Sequence, residues 1–273
     1  MRILIISAAA TLLLGCAATP DNEPVIPAHG VVGVQERHLD PDFWIERSEH
    51  KRRTVLDRNA ITAQNEKLLH NDLSVHDVEA LPATLPAARV REWVAKMSER
   101  PSGTLYDEQH QEIASQTLDD LVNNANTEAV PDTQSTRLGL VVRRSDLRTF
   151  PTRLRAFRSA GDNDIDRFQE NALFAGTPLA VVHESRDGKW WFVVSQLYAA
   201  WIDKADVALG TKQQVFDYTR REPYLVVTGP AAKTVFTPEQ PAASQLQLEM
   251  GQRVPLLSDW PANREVNGQH PYT

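Results

Sequence analysis

The stretch "AGTPLAVVHESRDGKWWFVVSQLYAAWIDKADV", Ala175–Val207, decides how this chain is read. Gly176-Thr177-Pro178 sets a corner before the apolar run Pro178–Val182, a β-type segment ending in His183. Asp187-Gly188 is a hairpin signal, since glycine enters the left-handed region at no steric cost. Lys189–Val194 follows at once as the returning strand, and Tyr198–Val207 closes the unit. Short strands with tight turns over roughly seventy residues predict a small β-barrel. Successive strand residues face opposite ways, so of Trp190 and Trp191 one is expected buried and the other semi-exposed. Trp201, near the closing end, reads as core.

Working outward, Leu138–Val142 is a further β-type run, and part of this pattern recurs. "LGLVVRRSDLRTFPT" from Leu138 lines up with "PYLVVTGPAAKTVFTP" from Pro223, and "LFAGTPLAVV" from Leu173 with "LEMGQRVPLL" from Leu248. The second copy reaches Pro271-Tyr272-Thr273 without a counterpart of the Asp-Gly hairpin. A barrel cut there leaves open sheet edges, so a truncated second barrel is expected.

Toward the N-terminus the period changes to that of helices. Val90, Trp93, Val94 and Met97 form one apolar stripe after Pro86, a residue suited to a first helical turn. Leu56, Ala60, Ala63 and Leu68-Leu69 predict an earlier helix; Ala114, Leu118, Leu121 and Val122 predict a later one ending at Asn123-Asn124. The fold class is α+β: a small helical region, one small β-barrel and a partial second barrel.

The chain opens Met1-Arg2 and is apolar from Ile3 to Leu14 save for Ser7 and Thr11, a leader too short to span a bilayer. Leu13-Leu14-Gly15-Cys16 then resembles a bacterial lipobox, which implies acylation of Cys16, the only cysteine in the sequence. Ala17, rather than Asp, after that cysteine points to the outer membrane. Pro20, Pro24, Pro27 and Gly30 break up the following stretch, which reads as a tether.

With 41% hydrophobic and 24% charged residues the remainder has ordinary globular composition. A net charge of −7 with no basic stripe argues against nucleic acid as a partner. There is no Gly-x-Ser-x-Gly elbow, phosphate-cradling loop or His-Glu-x-x-His. The eight histidines are scattered, with His70 and His76 the closest pair, so no metal site and no cofactor are expected. Asp162, Asp164 and Asp166 lack the Gly and distant Glu of a calcium loop and read as an acidic surface turn. Asp146, between Arg144 and Arg148, is expected to make local ion pairs.

Taken together, "AGTPLAVV", "DGKWWFVV" and "YAAWIDKADV" resemble a bacterial SH3 domain, with Ala200 where a glycine is usual before the final Trp. The order of "FW", "LYDE", "LGLVVRRSDLRTFPT", "DRFQENALFAGTP" and "YLVVTG…TP" is similar to the N-terminal, non-catalytic half of NlpC-type cell-wall endopeptidase lipoproteins. That resemblance implies a stabilising helical region and two SH3-like barrels placed before a papain-like domain. The family cleaves γ-D-glutamyl-diamino acid bonds of peptidoglycan stem peptides with a cysteine nucleophile and a histidine base. An acylated Cys16 cannot be that nucleophile, so this chain is expected not to be an enzyme. The resemblance also implies that Glu170 of "RFQENAL" and Tyr198 of "QLYAAWI" receive the free amino group of the stem peptide.

The domain reading is therefore 1–15 signal peptide, 16–41 lipidated tether, 42–130 helical stabilising region, 131–212 first barrel and 213–273 truncated second barrel. The expected role is a lipid-anchored, non-catalytic part of a peptidoglycan endopeptidase in the bacterial envelope. Its expected partners are stem peptide, an NlpC-type catalytic domain and, through the anchor, the membrane. A free-standing binding or scaffold lipoprotein for peptidoglycan or a partner hydrolase is the alternative, and a ligand-free structural lipoprotein a third.

Overall fold

The computed structural model describes residues 30–72, 74–257, 260, 261 and 263–265. Cys16 and its expected lipidation lie outside the described residues. The chain divides into two units, Met1–Ile61 and Thr62–Thr273.

In the first unit a 3-10 turn, Glu36–His38, leads into helix α1, Pro41–Ile45. Pro41 takes the first helical position, where its missing N–H is no loss, and Asp40 accepts the Asp42 amide at 3.0 Å. Phe43 and Trp44 pack edge to face at 4.9 Å, and the Arg47 guanidinium lies 3.5 Å from the centre of the Phe43 ring. Helix α2, Arg58–Asn71, crosses the boundary between the units and buries no residue. The predicted helix forms, but Leu56 precedes it, and Ile61 and Leu68 on it are exposed.

The second unit begins with strand β1, Thr84–Pro86, running directly into helix α3, Ala87–Met97; helix α4 is Ser115–Asn124. Strand β2, Thr133–Ser135, pairs antiparallel with β1. The apolar stripe of α3 is its packing face: Val90 and Val94 are fully buried.

Seven further strands build one antiparallel sheet: β3 Arg137–Val141, β4 Ser145–Arg148, β5 Gln169–Leu173, β6 Pro178–Glu184, β7 Trp190–Val194, β8 Ala199–Asp203 and β9 Val207–Gly210. Their order is β5-β4-β8-β7-β6-β3-β9, so β3 and β4, neighbours in sequence, stand four strands apart. Laid flat, four spacings would need about 19 Å. The link from Val141 to Ser145 can span only about 14 Å. The sheet must therefore curl, and it wraps into an SH3-like barrel. At the edge β3 and β9 approach so closely that a Cβ on Gly139 would lie 2.9 Å from the Ala208 carbonyl oxygen and from Val207 Cγ1. Only glycine fits there.

Side chains alternate cleanly between two cores. Leu147, Leu179, Val181, Trp191, Val193, Ala200 and Ile202 fill the barrel. Ala180, Val182, Trp190, Phe192, Val194 and Trp201 face outward, yet they pack with Val90 and Val94 of α3 in a second buried cluster. The expectation of one semi-exposed tryptophan is thus corrected: Trp190 and Trp191 are 6% and 5% exposed. The reason is that the helical segment covers the outer face of the sheet. Ser98, capping α3, joins the layers. Its hydroxyl accepts the Trp201 indole N–H at 2.9 Å and donates to the Thr149 carbonyl oxygen at 2.9 Å.

After β9, helix α5, Lys212–Arg220, starts with a reciprocal cap between Thr211 and Gln214. Strands β10 Tyr224–Val226, β11 Ala231–Lys233, β12 Gln247–Glu249 and β13 Arg253–Pro255 follow. β10 pairs with β13 and β11 with β12, the pattern in which β3 pairs with β6 and β4 with β5. The corners match in detail. Thr177 N–H donates to Phe174 O and Gln252 N–H to Glu249 O, each at 3.0 Å, around Gly176 and Gly251 at φ +82° and +81°. Val141 and Val227 make equivalent bonds to these corners, one residue away from the register given by aligning the apolar triplets. Corner geometry, rather than the triplet, sets the pairing. The residues of β10 and β11 are exposed, and among the described residues no third strand flanks β13.

Candidate functional site

At one end of the barrel three adjacent strands bring three polar side chains together. Glu170 lies on β5, Thr149 directly follows β4, and Tyr198 directly precedes β8. Tyr198 is fixed by a tight turn in which the Ser195 amide and hydroxyl both donate to its carbonyl oxygen, at 2.8 and 2.9 Å. The Tyr198 hydroxyl donates to one oxygen of Glu170, and the Thr149 hydroxyl donates to the other at 2.7 Å. Partial burial, then the bond to Glu170 and its charge, push the Tyr198 pKa up to about 12. The phenol is therefore protonated at neutral pH and acts as an oriented donor.

Glu170 thus holds two neutral donors but has no ion pair among the described residues. It is exposed, so its negative charge faces solvent without a counter-ion. A cleft of about 660 Å³ opens beside it, walled by Pro101–Leu105, Thr149, Arg158, Arg167 and Glu170, with Phe168 at its base. Phe168 is buried and packs edge to face on Phe150 at 5.0 Å. An uncompensated carboxylate with an adjoining phenol can take up an ammonium group by a charge-assisted hydrogen bond.

The loop between β4 and β5 that carries part of this wall is held from beneath. Asp166 accepts the amides of Ala156 and Phe168 at 3.0 and 2.9 Å and pairs with Arg148 at 2.6 Å, both side chains being buried. This corrects the reading of Asp162, Asp164 and Asp166 as a surface turn: Asp166 is structural. Asp146 also differs from expectation. It accepts from Gln169 at 3.2 Å, while Arg148 turns to Asp166 and Arg144 to Glu249. Larger grooves of about 990 and 760 Å³ lie elsewhere on the barrel. In these grooves the arginines are already paired, as Arg153 with Asp203, Arg148 with Asp166 and Arg186 with Glu128. Among the described residues no group of three or more His, Cys, Asp or Glu is placed to hold a metal ion.

Of the candidate residues, Glu170 and Tyr198 are twenty-eight positions apart in the chain and meet in space. Cys16 lies outside the described residues. Thr149, Arg158 and Arg167 carry no signal in the sequence alone, because only the β4–β5–β8 adjacency brings them to the cleft.

Residues 155–203, spanning β5 to β8, match the family of SH3 domains of the SH3b1 type. No curated protein matches the sequence. The fold is similar to that of an NlpC/P60 endopeptidase from Photobacterium damselae subsp. piscicida, with a TM-score of 0.56 and 18% identity. That similarity covers 82% of this chain and 50% of the endopeptidase, so the chain spans about half of its length. The chain carries a bacterial SH3 domain, and its fold is one found in an NlpC-type protein.

Proposed function

We propose that this chain is a non-catalytic, lipid-anchored part of a peptidoglycan endopeptidase system, holding stem peptide by its free amino group. The observation that carries the reading is the Glu170 carboxylate, oriented by Tyr198 and Thr149 and left without a cation beside a cleft. The packing of α3 over the outer sheet face supports a stabilising role for the helical segment. The chain's one thiol, Cys16, follows a lipobox-like leader, which favours anchoring over cysteine peptidase chemistry. The site of action would then be the envelope, facing the periplasm from the outer membrane.

Titration calorimetry with L-alanyl-γ-D-glutamyl-diaminopimelate and its N-acetylated form tests the reading. Acetylation is expected to weaken binding at least tenfold, and Glu170→Gln to abolish that discrimination. Equal affinity for the two peptides would overturn it. The intact mass of the protein extracted from membranes reads the acyl chains directly.

A further inference from the structure

Arginine is almost always spoken for in the unit Thr62–Thr273. Ten of its arginines form ion pairs with carboxylates. Arg91 donates to the Val130 carbonyl, while Arg137 and Arg264 lie over the rings of Trp191 and Trp260. Among the described residues of this unit only the guanidinium groups of Arg158, Arg167 and Arg221 have no such partner; in the other unit Arg52, Arg53 and Arg58 share that state but line no cleft with Glu170. Two of the first three, Arg158 and Arg167, wall the same cleft as Glu170. Neither pairs with it; each Glu170 oxygen instead accepts from a hydroxyl group.

The chain has acids to spare, 36 Asp and Glu against 29 Lys and Arg, so lack of supply does not explain two bare guanidinium groups. Their position is also fixed rather than free. The Arg167 amide donates to the Ala156 carbonyl oxygen at 2.7 Å, and Phe157 exchanges backbone bonds with Tyr106 at 2.8 Å in both directions. Arg158 and Arg167 therefore stand on opposite sides of one closed loop neck, which the buried Asp166 ties down. Like charges carried on a closed neck and paired with none of its acids are arranged for an anion from outside. Guanidinium matches a carboxylate through two parallel N–H donors, which an ammonium cannot do.

We infer that Arg158 and Arg167 bind carboxylate groups of the ligand whose amino group Glu170 and Tyr198 receive. The cleft is then specific for a short zwitterionic peptide, with a free amino terminus and one or more carboxylates within reach of it. This rests on the amine-binding reading proposed above and extends it to the anionic part of the ligand.

The test uses three probes titrated into the full chain: L-alanyl-γ-D-glutamate, the same dipeptide with its carboxylates converted to carboxamides, and its N-acetyl derivative. The diacid is expected to bind at least tenfold more tightly than the carboxamide. The double variant Arg158→Gln/Arg167→Gln, with an unchanged circular dichroism spectrum, should lower diacid affinity to the carboxamide level and leave carboxamide binding as it was. Rising salt should weaken the diacid more than the carboxamide. Equal affinity for diacid and carboxamide, with N-acetyl discrimination intact, overturns this inference and spares the amine reading. Loss of N-acetyl discrimination alone overturns the amine reading and leaves an arginine anion site. No binding of any probe overturns both.

Discussion

Ser98 shows how much rests on single hydroxyl groups in this protein. It is 5% exposed and bridges the Trp201 indole to the backbone of Thr149, the residue whose hydroxyl holds Glu170. Ser98→Ala leaves the buried indole N–H unsatisfied, and a loss of about 1–3 kcal/mol is expected in urea unfolding. His183 is a second such point. Its Nε2 faces two carbonyl oxygens, of Ala125 at 3.0 Å and Asn126 at 3.1 Å, so that nitrogen carries the proton. Burial holds the pKa of His183 below the ordinary 6.5. Below that pH the unfolded chain takes up a proton that the folded ring resists. The resulting stability is full above about pH 6.5 and falls as the pH drops toward the folded pKa. His76, also lowered by burial, contributes with the same sign. Comparing urea midpoints at pH 7.5 and 5.5 should show this loss, and His183→Gln should reduce it. The Glu170–Tyr198 pair was legible from family resemblance, whereas Ser98 was not, because nothing in sequence ties a helix cap to a tryptophan 103 positions away.

At the scale of elements, periodicity carried most of the reading. The stripe on α3, the end of α4 at Asn124 and the Asp187-Gly188 hairpin between β6 and β7 all follow from local pattern. What pattern could not give was the burial of both faces of β7. An unbroken "WWFVV" fits a strand covered on two sides as well as a strand with one wet face, and only the position of α3 decides between them. Phe192 is the residue that tests it. It is fully buried on the outer face and packs edge to face on Trp201 at 5.3 Å. If that face is core, Phe192→Ala costs about 3–5 kcal/mol, measured by denaturant unfolding. A cost near that of a surface substitution, within about 0.5 kcal/mol, would mean that the helix does not cover the sheet in solution.

Across the whole molecule, the internal repeat was readable as two matched blocks, and its strands recur in the same pairing, β10 with β13 and β11 with β12. The order of the seven-stranded sheet was not readable, since strand order depends on contacts between distant segments. That order has a kinetic side. The meander β6–β7–β8 joins neighbours through short loops, whereas β3 must find β6 about forty residues away and β9 about seventy away. Local pairings close early at small entropic cost and distant ones late. The Asp187-Gly188 turn should therefore belong to the folding nucleus, and the β3–β9 seam should close after the rate-limiting barrier. Gly139→Ala, which forces a Cβ into that seam, is expected to speed unfolding in stopped-flow traces and leave the refolding arm almost unmoved. The narrow contact at Gly139 would then set how long the barrel stays shut rather than how quickly it forms.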